Sequence, residues 1–203
     1  MIMNIKNKLI LILFFVMTSF LYGEENKFNR IEVLVNENII TNYDIVQRVK
    51  ISAILGQLEI NQDNYQQLMN TVVEDLVTES LKKSEIIEYD ISFNKDEYQS
   101  HENRFYSNIN WSKEELKEIF KLNNVNYDYL IEYIELELKW QKLIYGLYLR
   151  VTSVTEQEIK ELINKNPNIN EEIAKELILQ KQLDIKSTKL LNDLRDEATI
   201  EYK

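Results

Sequence analysis

Residues 127–149, YDYLIEYIELELKWQKLIYGLYL, decide the architecture. The polar positions Asp128, Glu132, Glu135, Lys139, Lys142 and Gly146 step by 4, 3, 4, 3 and 4, which is one narrow stripe on a long helix. Most of the remaining surface is apolar or aromatic. An arc this wide requires burial on more than one side, or part of it is a binding surface. The two readings are a central helix sandwiched by neighbours and an open groove.

The chain on either side is consistent with such a centre. Toward the C-terminus, Val151–Val154 reads as extended chain or a turn. Thr155 with Glu158 is a capping box for a helix through Lys165, and Asn166-Pro167-Asn168 breaks the chain. Leucines and isoleucines from Ile173 to Leu194 mark one long or two consecutive helices over 170–195, and Ala198–Tyr202 suggests a closing strand. Toward the N-terminus, Ser112 with Glu115 opens a short helix through Leu122, and Asn94 with Glu97 opens one through Ile109. The spacing of Leu68, Val72, Val73, Leu76, Val77 and Leu81 predicts a helix over 65–81, followed by a connector holding Ile86, Ile87, Tyr89 and Ile91. Thr41 with Asp44 caps a helix that stops at Gly56. Before it, Ile31, Val33 and Val35 alternate as a strand, Asn36–Asn38 turns, and Ile39-Ile40 returns.

Composition excludes much chemistry. Cysteine is absent among the 203 residues, which excludes disulfides, thiolate metal sites, a cysteine nucleophile and a lipid-modified cysteine anchor. The single histidine, His101, argues against a metal cage or a histidine-based triad. Three glycines are too few for phosphate-cradling loops, there is no Walker motif, and a net charge of −10 disfavours nucleic acid. No cofactor and no metal is expected. Asp96, Glu97, Glu114 and Glu115 could be taken for acid–base pairs, but they fall in first helical turns, where the helix dipole favours acids.

Residues 1–23 have the layout of a secretory signal peptide: Lys6 and Lys8, an apolar run from Leu9 to Leu21, then Gly23 before the first acids. Cleavage is the favoured reading and a retained anchor the alternative. Removing the segment takes away two of 24 lysines and arginines and none of 34 acids, for a net charge of −12.

The motifs in order resemble those of the SurA N-terminal-domain family of periplasmic chaperones. The resemblance is carried by Ile31–Asn36, Ile39–Thr41 and Asp44-Ile45 with Arg48; by Val73–Leu81 and Ile91-Ser92; by Trp111–Leu116; by Tyr127 and Leu130 onward to Ile144; and by Val151–Ile159. It covers residues 28–165, and Lys181–Tyr202 is similar to the family's closing helix and strand. Many relatives insert parvulin isomerase domains between the linker helix and the closing helix. Only residues 166–170 lie there, whereas a small domain needs on the order of 100 residues. The expectation is one mainly α SurA-like domain over 24–203, with a helical module over 24–165, a closing helix and strand over 170–203, and no parvulin domain.

The resemblance implies that the closing helix packs on the N-terminal helices and that its strand pairs with the strand at Ile31–Val35. It also implies a periplasmic, ATP-independent holdase for unfolded outer-membrane proteins, with no enzyme activity and no nucleotide. The membrane would be touched only through an uncleaved residue 1–23 segment. Tyr129, Tyr133, Trp140, Tyr145 and Tyr148 are the candidate client-binding side chains, with ordinary packing the competing reading of each. Two other readings stand beside this one: an adaptor docking on one envelope partner, and a foldase keeping isomerase activity by another route.

Overall fold

Asn36 organises both ends of the chain. Its φ of 52° is a left-handed conformation that asparagine tolerates better than most residues. The turn it makes folds β1 (Ile31–Val35) onto β2 (Asn38–Thr41) as an antiparallel pair, with Leu34 opposite Ile39. Its amide donates to the Thr199 carbonyl at 2.8 Å, and its side-chain oxygen accepts from the Thr199 amide at 2.9 Å. The last strand, β3 (Ile200–Tyr202), is thereby set antiparallel on the other side of β1, with Val35 opposite Ile200. The sheet order is β2-β1-β3, so the expected pairing of the two chain ends is observed. The computed structural model describes residues 30–109 and 111–203; the segment read as a signal peptide lies outside them.

Seven α-helices occur among the described residues, and the fold is mainly helical as expected. Helix α1 (Asn42–Leu55) starts at the Thr41–Asp44 capping box and stops before Gly56. Gly56 keeps a right-handed φ of −81°, and Gln57, at 51°, makes the left-handed turn instead. Helix α2 (Gln62–Glu88) is longer than the 65–81 predicted. Asn61 caps it, and what reads as a connector at Ile86 and Ile87 is its last turn. Ile86 is 5 % exposed because a later helix covers it, whereas Ile87 is 76 % exposed. Helices α3 (Lys95–Asn108), α4 (Lys113–Leu122) and α6 (Glu156–Lys165) begin at their expected capping boxes.

Helix α5 (Asp128–Tyr148) is followed by one 3-10 turn, Leu149–Val151, and then by residues 152–155 without helix or strand, as the expected extended chain or turn over Val151–Val154 largely requires. Helix α7 (Glu171–Glu197) is continuous, and residues 166–170 join it to α6. It packs on α6 and then along α2 and α5. Its end is tied down by Arg195, whose Nη1 lies 2.7 Å from Glu74 Oε2, and Tyr202 donates its hydroxyl to Glu74 Oε1 at 2.8 Å.

Three apolar clusters form the core. The sheet contributes Val33, Val35 and Ile40 to the first, with Ile45 and Val49 of α1 and Val72, Leu76, Val77 and Leu81 of α2. The second joins Ile51, Leu116, Phe120 and Val125 to Leu130 and Ile134. The third joins Ile86 and Leu183 to Leu136, Trp140, Leu143 and Ile144. Helix α5 supplies residues to the last two clusters, from different faces. It is therefore the central, sandwiched helix over much of its circumference.

Candidate functional site

Besides its polar stripe, α5 carries one row that is half-buried throughout. Tyr129, Tyr133, Glu137, Gln141 and Tyr145 are spaced by four residues, the repeat that builds a ridge along a helix. At 1.5 Å per residue the row is about 24 Å long. Four depressions of about 370, 430, 290 and 690 Å³ follow it in order. Neighbouring depressions share lining residues: Arg48 and Tyr133, then Phe105 and Glu137, then Arg104 and Gln141. They make a groove-like row of adjoining depressions along α5, parted by these shared side chains. Its first half is walled by β2, α1 and α2, and its second half by α3.

Two of the row's three tyrosines are held by their hydroxyls, and the third by its ring face. Tyr129 donates its hydroxyl to Asp44 Oδ1 at 2.6 Å, so the residue that caps α1 also fixes the groove's entrance. Tyr145 donates to Gln180 Oε1 on α7 at 3.2 Å. The Arg48 guanidinium lies over the Tyr133 ring, 4.9 Å from its centroid. Burial pushes the Tyr133 hydroxyl up to about 12, so it stays protonated at neutral pH.

Beneath Tyr133, Arg48 of α1 pairs with Glu79 of α2; the two side chains are 9 % and 12 % exposed. Burial raises the Glu79 carboxyl, and the guanidinium opposes that shift. A second pair, Lys82 Nζ to Glu137 Oε1 at 2.6 Å, closes the groove floor one turn further along. His101 in the third depression is held below the ordinary imidazole range by burial first and by Arg104 second. Two of the four acids that could suggest catalysis are spent on caps and a bridge: Glu97 accepts from the Asn94 amide at 2.7 Å and from Lys142 at 2.6 Å, and Glu115 accepts from the Ser112 amide at 2.9 Å. Rings with anchored hydroxyls above paired charges suit holding a chain in extended conformation, since they offer both area and hydrogen bonds.

Of the five aromatic candidates, Tyr129, Tyr133 and Tyr145 line this groove. Trp140 does not. It is 5 % exposed in the third cluster, and its indole nitrogen donates to Ser187 Oγ on α7 at 2.9 Å. Tyr148 packs against the same cluster and lines none of the four depressions. Periodicity alone missed Arg48, Glu79 and Glu137. A signal existed: Arg48 interrupts the apolar stripe of α1 and Glu79 that of α2, and opposite charges on two facing stripes imply a buried pair.

The fold and the groove define a class: a helical domain closed by a sheet drawn from both chain ends, with an aromatic groove along its central helix. The chain is 30% identical, over an alignment of 224 positions, to the "Chaperone SurA" of Buchnera aphidicola subsp. Schizaphis graminum (strain Sg). The alignment takes in 96% of this chain but 49% of that protein, so the chain spans about half the length of the relative it matches. No family model matches. The chain is SurA-like in sequence at this distant level.

Proposed function

We propose that this chain is an ATP-independent chaperone that holds unfolded outer-membrane polypeptides in the periplasm, using the groove along α5. The observation that carries the reading is the row Tyr129–Tyr133–Glu137–Gln141–Tyr145, which lines adjoining depressions along the central helix. About seven extended residues span its 24 Å length, at about 3.3 Å each. Aromatic faces provide sequence-tolerant contact area, and the fixed polar groups accept or donate to a passing backbone. The similarity to a chaperone supports the same reading. Clients, localisation and absence of enzyme activity belong to this proposal.

The test is aggregation of a chemically unfolded outer-membrane β-barrel protein, followed by light scattering without nucleotide. Suppression at near-stoichiometric amounts of the chain lacking residues 1–23 is expected. A folded chain that leaves aggregation unchanged would overturn the holdase reading in favour of an adaptor for one partner.

A further inference from the structure

The two edges of the sheet differ. In the β1–β3 ladder Leu34 stands opposite Glu201; the Asn36 amide donates to the Thr199 carbonyl at 2.8 Å, and the Lys203 amide donates to the Glu32 carbonyl at 2.9 Å. In an antiparallel strand, alternate residues bond to the same side. The main-chain groups of Glu201 therefore face β1. The amides and carbonyls of Ile200 and Tyr202 face outward, along an edge that no further strand covers among the described residues. At the other edge β2 is stopped, because the Thr41 amide donates to Asp44 Oδ2 at 2.8 Å. β3 carries neither a proline nor a bulge, two devices that blunt an edge.

The charged side chains of β1, β3 and the Glu74 clamp are balanced. Arg30 pairs with Glu32, Arg195 with Glu74 and Lys203 with Glu201, so these side chains sum to zero in a chain of net charge −10. A second copy is repelled less at this edge than by the acidic chain as a whole. The register fits a second copy too. About a two-fold axis at Glu201, two β3 strands meet antiparallel with Ile200 opposite Tyr202, and every outward amide and carbonyl of both strands finds a partner. Ile200 then lies beside the Tyr202 ring of the second copy, which is 57 % exposed in the single chain. Glu201 meets its own counterpart, but each also lies diagonal to Lys203 of the other copy, so unlike charges alternate across the pair.

We infer that β3 is a self-pairing edge: two copies of the chain join antiparallel through Ile200 and Tyr202 into one continuous sheet. Strands this short bury much less than the roughly 1,200 Å² of a stable complex, so the dimer is weak, with a Kd on the order of 0.1–1 mM. The strand order becomes β2-β1-β3-β3-β1-β2, and at about 4.8 Å per step the two β2 strands lie about 24 Å apart. Each β2 lines the first depression of its own groove. The consequence rests on the holdase reading: the dimer offers two grooves to one long client, and holds it by avidity.

The sequence contains no cysteine, so Glu201→Cys places a single thiol at the two-fold axis without background. Facing Cα atoms of such a non-hydrogen-bonded pair lie about 4.5 Å apart, within disulfide reach. At about 0.5 mM chain, copper–phenanthroline oxidation should cross-link this variant roughly ten-fold faster than Glu118→Cys, an exposed position on α4, on non-reducing gels. Equal rates would overturn the inference. In the unsubstituted chain, hydrogen exchange of the Ile200 and Tyr202 amides, read by NMR, should slow about two-fold or more between about 0.02 and 1 mM. Ile200→Pro removes only an outward amide; it should abolish that concentration dependence at Tyr202, and a thermal melt verifies that it is folded. Exchange independent of concentration would overturn the pairing, and slowing only when an unfolded client is added would assign the edge to a client strand instead. The disulfide-linked dimer should suppress aggregation at a several-fold lower chain concentration than Ile200→Pro. Equal suppression would overturn the two-groove consequence. No suppression by either form, with the cross-linking as expected, would overturn the holdase reading and leave the pairing in place.

Discussion

Tyr133 and Trp140 stand two turns apart on one helix, and both are large aromatic residues in the same apolar arc, yet they have different fates. On the Trp140 side, α7 lies against α5; Leu183 and Ser187 close over the indole, and its one polar atom is satisfied. On the Tyr133 side, α1, α2 and α3 stand off far enough to leave adjoining depressions, and a buried ion pair lies beside the apolar packing of the ring. The difference teaches that an apolar arc stays open to a ligand where a neighbouring helix fails to cover it, and not where its own residues are most aromatic.

Several substitutions would break or sharpen that contrast. The largest effect is expected for Trp140→Ala, which removes a core side chain: about 3–5 kcal/mol in urea unfolding. If Trp140→Ala lowers holding activity while stability stays within about 1 kcal/mol, the indole is a contact residue and the contrast fails. Glu79→Ala should cost about 3 kcal/mol, because it leaves the Arg48 guanidinium buried without its counter-charge; Glu79→Gln, which keeps a hydrogen-bond acceptor, should cost clearly less in the same measurement.

Tyr129→Ala and Tyr145→Ala are expected to behave in the opposite manner to Trp140→Ala. Each should cost less than Trp140→Ala, about 1–2 kcal/mol, through one lost side-chain hydrogen bond and the packing of a half-buried ring, while the pair combined lowers aggregation suppression several-fold. Unchanged suppression by the pair would leave the groove without a role in holding clients.

The smallest effect concerns the clamp on the closing strand. The Arg195 guanidinium holds the Glu74 carboxyl below its ordinary value. A lowered acid contributes stability above its unfolded pKa, near pH 4.5, and loses it as pH falls through the lower folded value. Both groups are substantially exposed, so the contribution is about 0.5 kcal/mol or less. Arg195→Gln should therefore be slightly less stable than the parent at pH 7, with the gap closing at strongly acidic pH; a gap that persists there would assign it to lost packing instead.

Much of this fold is legible locally. Four capping boxes, at Thr41, Asn94, Ser112 and Thr155, place helix starts, because a cap is a hydrogen-bond pattern complete within four residues. The end of α2 is not legible in the same way. Ile86 and Ile87 resemble a connector until Leu183, nearly a hundred residues later, covers the first of them. The site divides similarly. Tyr129, Tyr133 and Tyr145 are evident as aromatic residues on a broad apolar helix, but Trp140 and Tyr148 share that property and line none of the depressions.

The sequence by itself determined where helices begin, that α5 is too apolar to stand alone, and that the chain ends can make strands. These follow from short-range hydrogen bonding and from the period of the apolar pattern. Only the tertiary structure decided which flank of α5 is covered and which is open. That choice depends on the line α7 takes after residues 166–170 and on β3 closing against β1, contacts between residues far apart in the chain. Whether a side chain is core or site is a property of what lies opposite it, and no local pattern contains that.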